Sequence, residues 1–295
     1  MNRLGTASGT VVVCGSVNMD TFVGVDRFPS AGETVIAAPN GQALGGKGAN
    51  QAVAVARYQQ GQDARVVLLA TVGQDADGDT ALTGLDDAGV DVSAVARTGE
   101  APTGRAFIMN DPDGENIIVV TSGANELTDP AAQADGSADV LLAQGELTPE
   151  HSAALPGLAE RLGARLVLNL APVTTRDRDL LAAADPLVLN EYEAEALGDL
   201  SDLARSVVVT LGARGAVLHE GAGRTEVAPV PAGDVVDTTG AGDAFCGTLA
   251  AALAEGESLA DAAAVATAAG SLAVRSRGAA ASYAGRDAVR GATVL

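Results

Sequence analysis

The chain has very little of the chemistry that most metal centres and redox sites need. It contains only two histidines, His151 and His219, and only two cysteines, Cys14 and Cys246. These residues lie far apart along the sequence, so no cluster with the spacing of zinc ligands is available. Both cysteines stand in apolar surroundings, which is typical of reduced, buried thiols in a cytosolic protein. We therefore expect reduced thiols and no metal site built from histidine or cysteine.

Long apolar runs are also missing. No segment reaches the roughly 18 apolar residues that a membrane-spanning helix needs. Residues 1–10 lack the basic start and apolar core of a secretory signal. Hydrophobic residues make up 47% of the sequence, but aromatic residues only 2%. We therefore expect a cytoplasmic protein with ample core and no membrane segment.

Basic residues are scarce, and Lys47 is the only lysine. The chain has 18 Lys and Arg against 38 Asp and Glu, a net charge of −20. This excess of acid argues against binding to nucleic acid or to an anionic membrane. A salty cytoplasm and a GC-rich genome explain such a composition equally well, and both remain open. A sole lysine inside a glycine cluster is a candidate functional residue.

Short β-branched runs alternate with alanine-rich stretches through most of the chain. The runs predict buried strands, at Val11–Cys14, Val66–Ala70, Leu166–Leu170, Leu187–Leu189 and Val207–Leu211. The stretches between them predict helices, at Asn50–Arg57, Ala153–Leu162 and Arg178–Ala184. This alternation predicts an α/β fold with a mostly parallel sheet and helices on both faces. Ligands of such sheets bind beyond the carboxyl ends of the strands, where the sequence places Asn18, Asn169, Asn190 and Gly212.

Two further segments alternate in the manner of antiparallel ribbons. They cover about residues 22–37 and 103–120, and the second contains the turn sequence Asp111-Pro112-Asp113-Gly114. We expect them to form a small β-sheet that serves as a lid over the site, although a decorative edge extension would give the same pattern. The sequence shows no internal repeat, low-complexity tract or linker. Residues 1–295 are therefore expected to form one domain with this lid.

The segment from Asp237 to Phe245 constrains the chemistry most tightly. Gly240, Ala241 and Gly242 directly precede the acid Asp243, where a helical pattern begins. Side-chain-poor backbone at a helix start turns N–H groups outward, and the helix dipole there favours negative charge. A carboxylate at the same turn could accept the proton of an attacking hydroxyl. Alone, the motif could equally be a capped helix start with Asp243 as the cap.

A second glycine cluster lies near the N-terminus. The segment Gly41–Lys47 formally fits a P-loop, but residue 48 is Gly48 rather than Ser or Thr, and no strand is predicted immediately before it. The P-loop interpretation is therefore rejected. The remaining motif, Gly45-Gly46-Lys47-Gly48-Ala49-Asn50, opens a helical stretch. Glycines let a polyhydroxylated ligand approach the backbone, and Lys47 and Asn50 can hydrogen-bond hydroxyls.

Together the two motifs resemble the hallmark motifs of the ribokinase family of carbohydrate kinases. The landmarks between them occur in the family's order: Asn18-Met19-Asp20, Pro29–Val35, Thr103-Gly104, Gly123-Ala124-Asn125, Glu146, Asn169–Pro172, Asn190–Glu195 and Thr210–Gly215. The similarity spans most of the chain, from residue 11 to residue 290. Such ordered matches are specific for the family and less so for the substrate. The resemblance implies a ribokinase-like α/β fold with a small β-sheet lid.

The resemblance also implies a centre for phosphoryl transfer. Asp243 would accept the proton of a sugar hydroxymethyl as it attacks the γ-phosphoryl group of ATP, and Gly240–Gly242 would form the anion hole. The implied residues of the ATP and Mg²⁺ site are Asn190, Glu193, Thr210, Gly212, Gly215, Gly242 and Thr267. For Asn190 and Glu193, a helix cap and a solvated helical face are the alternatives. Thr267 stands where the family often has Asn or His near the adenine.

On the sugar side, the resemblance implies contacts from Asn18, Asp20, Gly45, Gly46, Lys47, Asn50, Glu146 and Asp243. The alternatives are a turn former for Asp20 and a surface-loop residue for Glu146. The resemblance further implies a monovalent-cation site for K⁺ at Asp237, Thr239, Ala273, Ser276, Gly278 and Ser282. Hard oxygen ligands suit such a cation. Activation by potassium is therefore expected.

The leading hypothesis is ATP-dependent phosphorylation of the 5-hydroxyl of D-ribose to D-ribose 5-phosphate. A kinase of the same family for another sugar, a nucleoside or a sugar acid is the nearest alternative. The few aromatic residues, with no Trp, disfavour a nucleoside because its base needs stacking surface. A non-catalytic sugar-binding regulator is disfavoured by the combination of Asp243 with an anion hole. By analogy with the family, the edge of the lid predicts a homodimer.

Overall fold

The structure is a computed structural model that describes residues 9–112, 115–132 and 136–293. The strands are β1 (Thr10–Cys14), β2 (Asn18–Gly24), β3 (Ala38–Gly45), β4 (Arg65–Leu69), β5 (Thr71–Gly73), β6 (Ala96–Thr98), β7 (Gly104–Asn110), β8 (Asn116–Thr121), β9 (Val140–Gln144), β10 (Arg165–Asn169), β11 (Leu187–Asn190), β12 (Ser206–Thr210), β13 (Ala216–Glu220) and β14 (Gly223–Val227). The helices are α1 (Lys47–Gln59), α2 (Ala76–Asp87), α3 (Pro149–Ala153), α4 (Leu155–Leu162), α5 (Arg178–Ala183), α6 (Glu191–Leu197), α7 (Ala241–Ala254), α8 (Leu259–Ala273) and α9 (Arg286–Thr293).

The main sheet has the order β14-β13-β12-β11-β10-β9-β1-β4. Strands β12 to β4 in this order are parallel, whereas β13 and β14 extend the sheet antiparallel. The prediction of a mostly parallel sheet is confirmed, and the five predicted strands correspond to β1, β4, β10, β11 and β12. Strand β9 was not predicted, because a short run of Val, Leu and Ala does not distinguish a strand from a helix. Strand β9 lies between β1 and β10. From β1 the strand order runs one way to β4 and the other way through β9 to β12, so the order reverses between β1 and β9. Ligands of such sheets bind beside this point.

Helices cover both faces of the main sheet, as predicted. One apolar core joins the sheet to α1, α7, α8 and α9, and the other joins it to α4 and α5. The predicted helix Ala153–Leu162 is two helices, α3 and α4, because Pro156 stands in the first turn of α4 and lacks the N–H that a continuous helix needs. Within the described ranges, no helix is long and apolar enough to cross a membrane.

Helices α1 and α7 pack closely, and a glycine makes the approach possible. A Cβ on Gly247 would lie 2.5 Å from the backbone oxygen of Gln51 and 2.6 Å from Cβ of Ala54. Any larger residue would therefore push the two helices apart. The approach brings the first turn of α7 beside the first turn of α1, and these turns carry the two glycine-rich motifs of the sequence.

A separate four-stranded sheet has the order β3-β2-β7-β8. The prediction for residues 103–120 agrees with β7 and β8, although Asp113 and Gly114 of the predicted turn lie outside the described residues. The prediction for residues 22–37 is wrong in its bounds, because the strands are β2 and β3 and most of residues 25–37 are loop. Strand β3 is almost fully exposed and contains Pro39 and Gly41, so it lacks the alternation that predicts strands.

One argument against a P-loop is also corrected. Strand β3 ends at Gly45 and α1 begins at Lys47, so a strand does run into this helix. It belongs to the small sheet, however, and not to the main parallel sheet. The rejection still stands, because Gly48 offers no hydroxyl for Mg²⁺.

Candidate functional site

Asp243 lies in the first turn of α7 and is 7% exposed. Its carboxylate accepts a hydrogen bond from Asn50 Nδ2 at 3.1 Å and another from Gln51 Nε2 at 3.0 Å. Two N–H donors suit an ionised carboxylate and hold it in one orientation. The alternative interpretation of Asp243 as the helix cap is wrong, because the cap is Gly240 and no side chain caps α7.

The turn before Asp243 requires a glycine at residue 240. Gly240 has a left-handed backbone with φ of 77°, and a Cβ there would lie 2.6 Å from Ala279 Cβ. Gly242, by contrast, faces open space. The N–H groups of a first helical turn have no acceptor within the helix and favour an anion there. Of these groups, the Ala241 N–H donates to the backbone oxygen of Thr238 at 3.3 Å, a bond that an anion at this turn would have to replace.

Two cavities meet at Gly242 and Thr210. The larger, of about 260 Å³, is mainly apolar and includes Val235, Phe245 and Val274 in its wall. The smaller, of about 150 Å³, is polar and includes Lys47, Asn169, Asn190, Glu193 and Asp243. This arrangement suits a ligand with an apolar ring at one end and a polar group beside Lys47 at the other.

Most residues predicted to bind the nucleotide line the larger cavity. They are Thr210, Gly212, Gly215, Gly242 and Thr267. The hydroxyl of Thr267 donates to the backbone oxygen of Ala263 at 2.8 Å within α8. The hydroxyl proton is therefore engaged, so Thr267 can offer a ligand its methyl group or an acceptor oxygen but no donor.

Asn190 and Glu193 form a reciprocal capping box at the start of α6. Glu193 N donates to Asn190 Oδ1 at 2.9 Å, and Asn190 N donates to Glu193 Oε2 at 2.7 Å. The alternative of a helix cap is thus correct for Asn190, yet both residues also line the smaller cavity. Burial raises the pKa of Glu193, and the Asn190 N–H and the charge of Lys47 oppose the rise. The alternative of a solvated face does not fit Glu193.

The predicted sugar residues come together where the small sheet meets α1. Asn18 and Asp20 occupy alternate positions of β2, and Asn18 lies opposite Gly45 in the register of β2 with β3. A Cβ on Gly45 would lie 2.3 Å from the Asp20 carboxylate, so a glycine is needed there. Asp20 Oδ1 is buried without a hydrogen-bond partner. Burial, with the nearby charge of Glu146, raises the pKa of Asp20 to about 6.

Glu146 and Lys47 complete this side of the site. Glu146 Oε2 accepts hydrogen bonds from the backbone N–H of Lys47 at 3.1 Å and from the Ser16 hydroxyl. The surface-loop alternative for Glu146 is therefore wrong. Burial by itself would lower the pKa of Lys47, but Asp243 and Glu146 outweigh it, and the net pKa is raised. The only lysine of the chain thus lies charged between the predicted sugar residues and Asp243.

The residues predicted to hold a monovalent cation lie in two segments, residues 237–239 and residues 273–282. A hydrogen bond between Gly278 and Asp237 connects the two segments. Asp237 accepts hydrogen bonds from the N–H groups of Thr239 and Gly278, both at 2.9 Å. Ser282 donates to the backbone oxygen of Ala279 at 2.7 Å, and Ala273 ends α8 just before the second loop. The N–H bonds to Asp237 outweigh its burial and lower its pKa. In the part of the chain that the structure describes, no cluster of His, Cys, Asp and Glu could hold a metal ion.

Several polar residues at the site were not predicted as functional. Gln51 and Gln144 are fully buried behind Asp243, and Asn125 Nδ2 donates to Asn18 Oδ1 at 2.8 Å. Gln144 and Asn169 end the neighbouring parallel strands β9 and β10. The sequence placed Asn169 at this carboxyl edge of the sheet, and the same position was a usable signal for Gln144. Gln51 could have been found as a polar residue in an otherwise apolar helical stretch.

Residues 8–284 match the model of the pfkB family of carbohydrate kinases. The chain belongs to this family. A ribokinase of Schizosaccharomyces pombe is 33% identical over 92% of this chain and 94% of its own length. A ribokinase of Staphylococcus aureus is 35% identical over 92% of this chain and 95% of its own length.

Solved structures of the family agree with this assignment. The structure of Arabidopsis thaliana ribokinase complexed with ribose and ATP superposes with a TM-score of 0.86. It is 29% identical, and the match covers 98% of this chain and 99% of that protein. The ribokinase-like fold, the family and the class of carbohydrate kinase are thereby confirmed.

Proposed function

We propose that the chain is an ATP-dependent kinase that converts D-ribose to D-ribose 5-phosphate. Its relatives named ribokinase and the similarity to a ribokinase solved with ribose and ATP support this assignment. The observation that carries it is the place of Asp243. Its carboxylate lies between the predicted sugar residues of α1 and the junction of two cavities at Gly242. A base is needed at that point, between the acceptor hydroxyl and the transferred group.

The reaction follows from this placement. The 5-hydroxyl of ribose attacks the γ-phosphorus of ATP, the bond between that phosphorus and its bridging oxygen breaks, and ADP leaves. Asp243 accepts the hydroxyl proton, while the backbone N–H groups of Gly240–Gly242 and the charge of Lys47 stabilise negative charge on the transferred phosphoryl group. Asp20, Glu146, Asn18 and Asn50 hold the sugar hydroxyls.

The nucleotide would occupy both cavities. Its base fits the apolar wall near Phe245, and its phosphates fit the polar cavity beside Lys47. Asn190 and Glu193 would hold the Mg²⁺ that accompanies ATP, since both line that cavity and Mg²⁺ prefers oxygen ligands. Asn190 Oδ1 and Glu193 Oε2 already accept the hydrogen bonds of the capping box, so Glu193 Oε1 is the oxygen that would reach the ion. When bound, Mg²⁺ neutralises phosphate charge.

K⁺ would bind between the two loops that Asp237 joins. A set of backbone carbonyls with one carboxylate and hydroxyls is an oxygen environment suited to a hard monovalent cation. The loops lie directly behind Gly240, whose close contact with Ala279 links them to the anion hole. The ion would therefore stabilise the turn that presents the N–H groups.

A panel of acceptors tests the proposed function. We expect ADP formation with ribose, ATP and Mg²⁺, and an increase in kcat of about tenfold or more when K⁺ replaces a large organic cation, since one lost anion-hole contact has effects of that order or larger. No ADP with ribose but turnover of another sugar, a nucleoside or a sugar acid would correct the substrate. No turnover with any acceptor, together with sugar binding, would favour a regulator.

The small sheet, β2, β3, β7 and β8, is proposed to act as a lid on a single domain. Asn18 and Asp20 lie on β2 and Gly45 ends β3, so motion of this sheet would open or close the sugar side. The acidic surface and the ATP requirement fit a cytoplasmic enzyme of small molecules, with no nucleic acid or membrane partner. These points remain predictions.

The free edge of the lid is proposed to form a homodimer. Strand β8 is an edge strand whose Ile118, Val119 and Val120 are more than half exposed, and such edges pair readily. We expect light scattering to give a dimer at micromolar concentration and a monomer for Val120→Lys. The exposed Tyr192 on α6 provides the control, since Tyr192→Lys should leave the dimer intact. A monomeric parent protein would contradict the proposal.

A further inference from the structure

Three buried side-chain amides, Gln144, Gln51 and Asn169, lie directly behind Asp243, and we refer to them as the amide relay. Gln51 and Gln144 are fully buried, and Asn169 is 8% exposed. Gln51 Nε2 donates to Asp243 Oδ1 and to Asn169 Oδ1, both at 3.0 Å. Gln51 Oε1 accepts from Gln144 Nε2 at 2.8 Å. Both polar atoms of the Gln51 side chain therefore form hydrogen bonds, and one of these bonds is to the Asp243 carboxylate.

The donors and acceptors of the relay can be arranged in only one way. An ionised carboxylate only accepts hydrogen bonds, so Gln51 must turn its NH₂ group to Asp243. Its carbonyl oxygen then faces Gln144, which must turn its own NH₂ group to Gln51. Asn169 Nδ2 donates to the backbone oxygen of Val188 at 3.3 Å, which leaves its oxygen free to accept from Gln51. The charge of Asp243 thus sets the orientation of each amide.

The relay carries a cost that an apolar core would not have. Gln144 Oε1 is buried without a hydrogen-bond partner, and an unpartnered buried oxygen is destabilising. The chain also has to keep Gly15 without a side chain, because a Cβ there would lie 1.9 Å from that oxygen. Local features that reduce stability without a compensating contact are expected at functional sites.

We propose that the amide relay positions the Asp243 carboxylate as the proton acceptor. Gln51 and Asn50 each donate to a different carboxylate oxygen, which fixes the plane of the carboxylate and directs a remaining lone pair to the cavity. Gln144 fixes Gln51 in turn. Because Gln51 and Gln144 are fully buried, they act through Asp243 and are positioning residues. The proposal rests on the proposed function, since it assigns a task to the same base.

The variant Gln51→Met tests this role. Methionine has a similar volume but donates no hydrogen bond. We expect kcat to fall by about 10- to 100-fold, the effect of losing one hydrogen bond to a charged group, with little change in the Kd for the sugar. In a plot of kcat against pH, the acid limb should also move to higher pH. The reason is that the hydrogen bond from Gln51, which favours the ionised form of Asp243, is lost. A purely structural residue would not move that limb.

Gln59 provides a matched control on the same helix. It is a buried glutamine of α1, and its Nε2 donates to the backbone oxygen of Gly9 at 2.7 Å. Gln59→Met should lower the melting temperature but keep the kcat and the acid limb of the parent. Gln144→Met should reduce kcat less than Gln51→Met and in the same direction. In the double variant, Gln144→Met should reduce kcat little beyond the effect of Gln51→Met, since Gln144 acts through Gln51.

The results separate the relay from the proposed function. The relay proposal is overturned if Gln51→Met keeps the parent's acid limb, or if the effects of Gln51→Met and Gln144→Met on kcat are fully additive. If Gln51→Met does not fold, Gln144→Met is measured with the same readouts. A parent that uses a sugar other than ribose overturns only the substrate assignment, and the relay is then measured with that sugar. A parent that forms no ADP with any acceptor overturns both.

Discussion

Asp243→Asn is expected to reduce kcat by about a hundredfold or more while the Kd for ribose changes little. Asparagine keeps the shape of the side chain but cannot take the hydroxyl proton. The substitution also places an NH₂ group where Asn50 and Gln51 now donate. One of these bonds is then lost, so a small decrease in stability should accompany the loss of turnover. Steady-state kinetics and calorimetric titration with ribose measure the two effects separately.

Asp261 offers a control at the same helical position. It follows the N-cap Ser258 of α8 by three residues, as Asp243 follows the N-cap Gly240 of α7. Asp261→Asn removes a carboxylate from a first helical turn and weakens the helix dipole interaction, but it lies outside both cavities. Its kcat should equal that of the parent. If Asp243→Asn weakened ribose binding as much as turnover, Asp243 would have a structural role instead.

The fold could be predicted because its signals are local. Buried parallel strands give continuous apolar runs such as Val11–Cys14, and these runs alternate with alanine-rich helices. The two glycine-rich motifs were also visible, since each needs small residues for close backbone approaches. Gly240 and Gly45 confirm that need with clashes that any Cβ would make.

The parts that could not be predicted depend on distant contacts. Asn50 and Asp243 are separated by 193 residues, and Gln51 and Gln144 by 93. No local pattern indicates that these side chains meet, because the meeting follows from the packing of α1 on α7 and from the order of the strands. Strand β3 was missed for a different reason. It is exposed on both faces, so burial left no periodic pattern in its sequence.

Asp20→Asn is expected to stabilise the free protein at neutral pH and to weaken ribose binding by about 10- to 100-fold, the effect of losing hydrogen bonds to a charged group. The pKa of Asp20 is raised by burial to about 6 in the folded protein, from 3.8. The folded state therefore binds its proton more tightly than the unfolded state, so the free energy of unfolding falls as pH rises through this window. Above about pH 6 the buried charge opposes folding, and asparagine removes it.

The pH dependence distinguishes this explanation from a general gain in packing. The melting temperature of Asp20→Asn should exceed that of the parent at pH 7.5, and the difference should disappear near pH 4, where Asp20 of the parent is largely protonated. Ribose affinity of the parent should weaken below about pH 6, because a protonated carboxyl accepts hydroxyl hydrogen bonds less well, whereas the variant should show no such change. Asp26→Asn, at an exposed position just beyond β2, should change neither property. A variant with the parent's stability at pH 7.5 would contradict a buried charge at Asp20, and one with the parent's ribose affinity would remove Asp20 from the sugar site. Neither result would favour the alternative of a turn former, because Asp20 lies within strand β2.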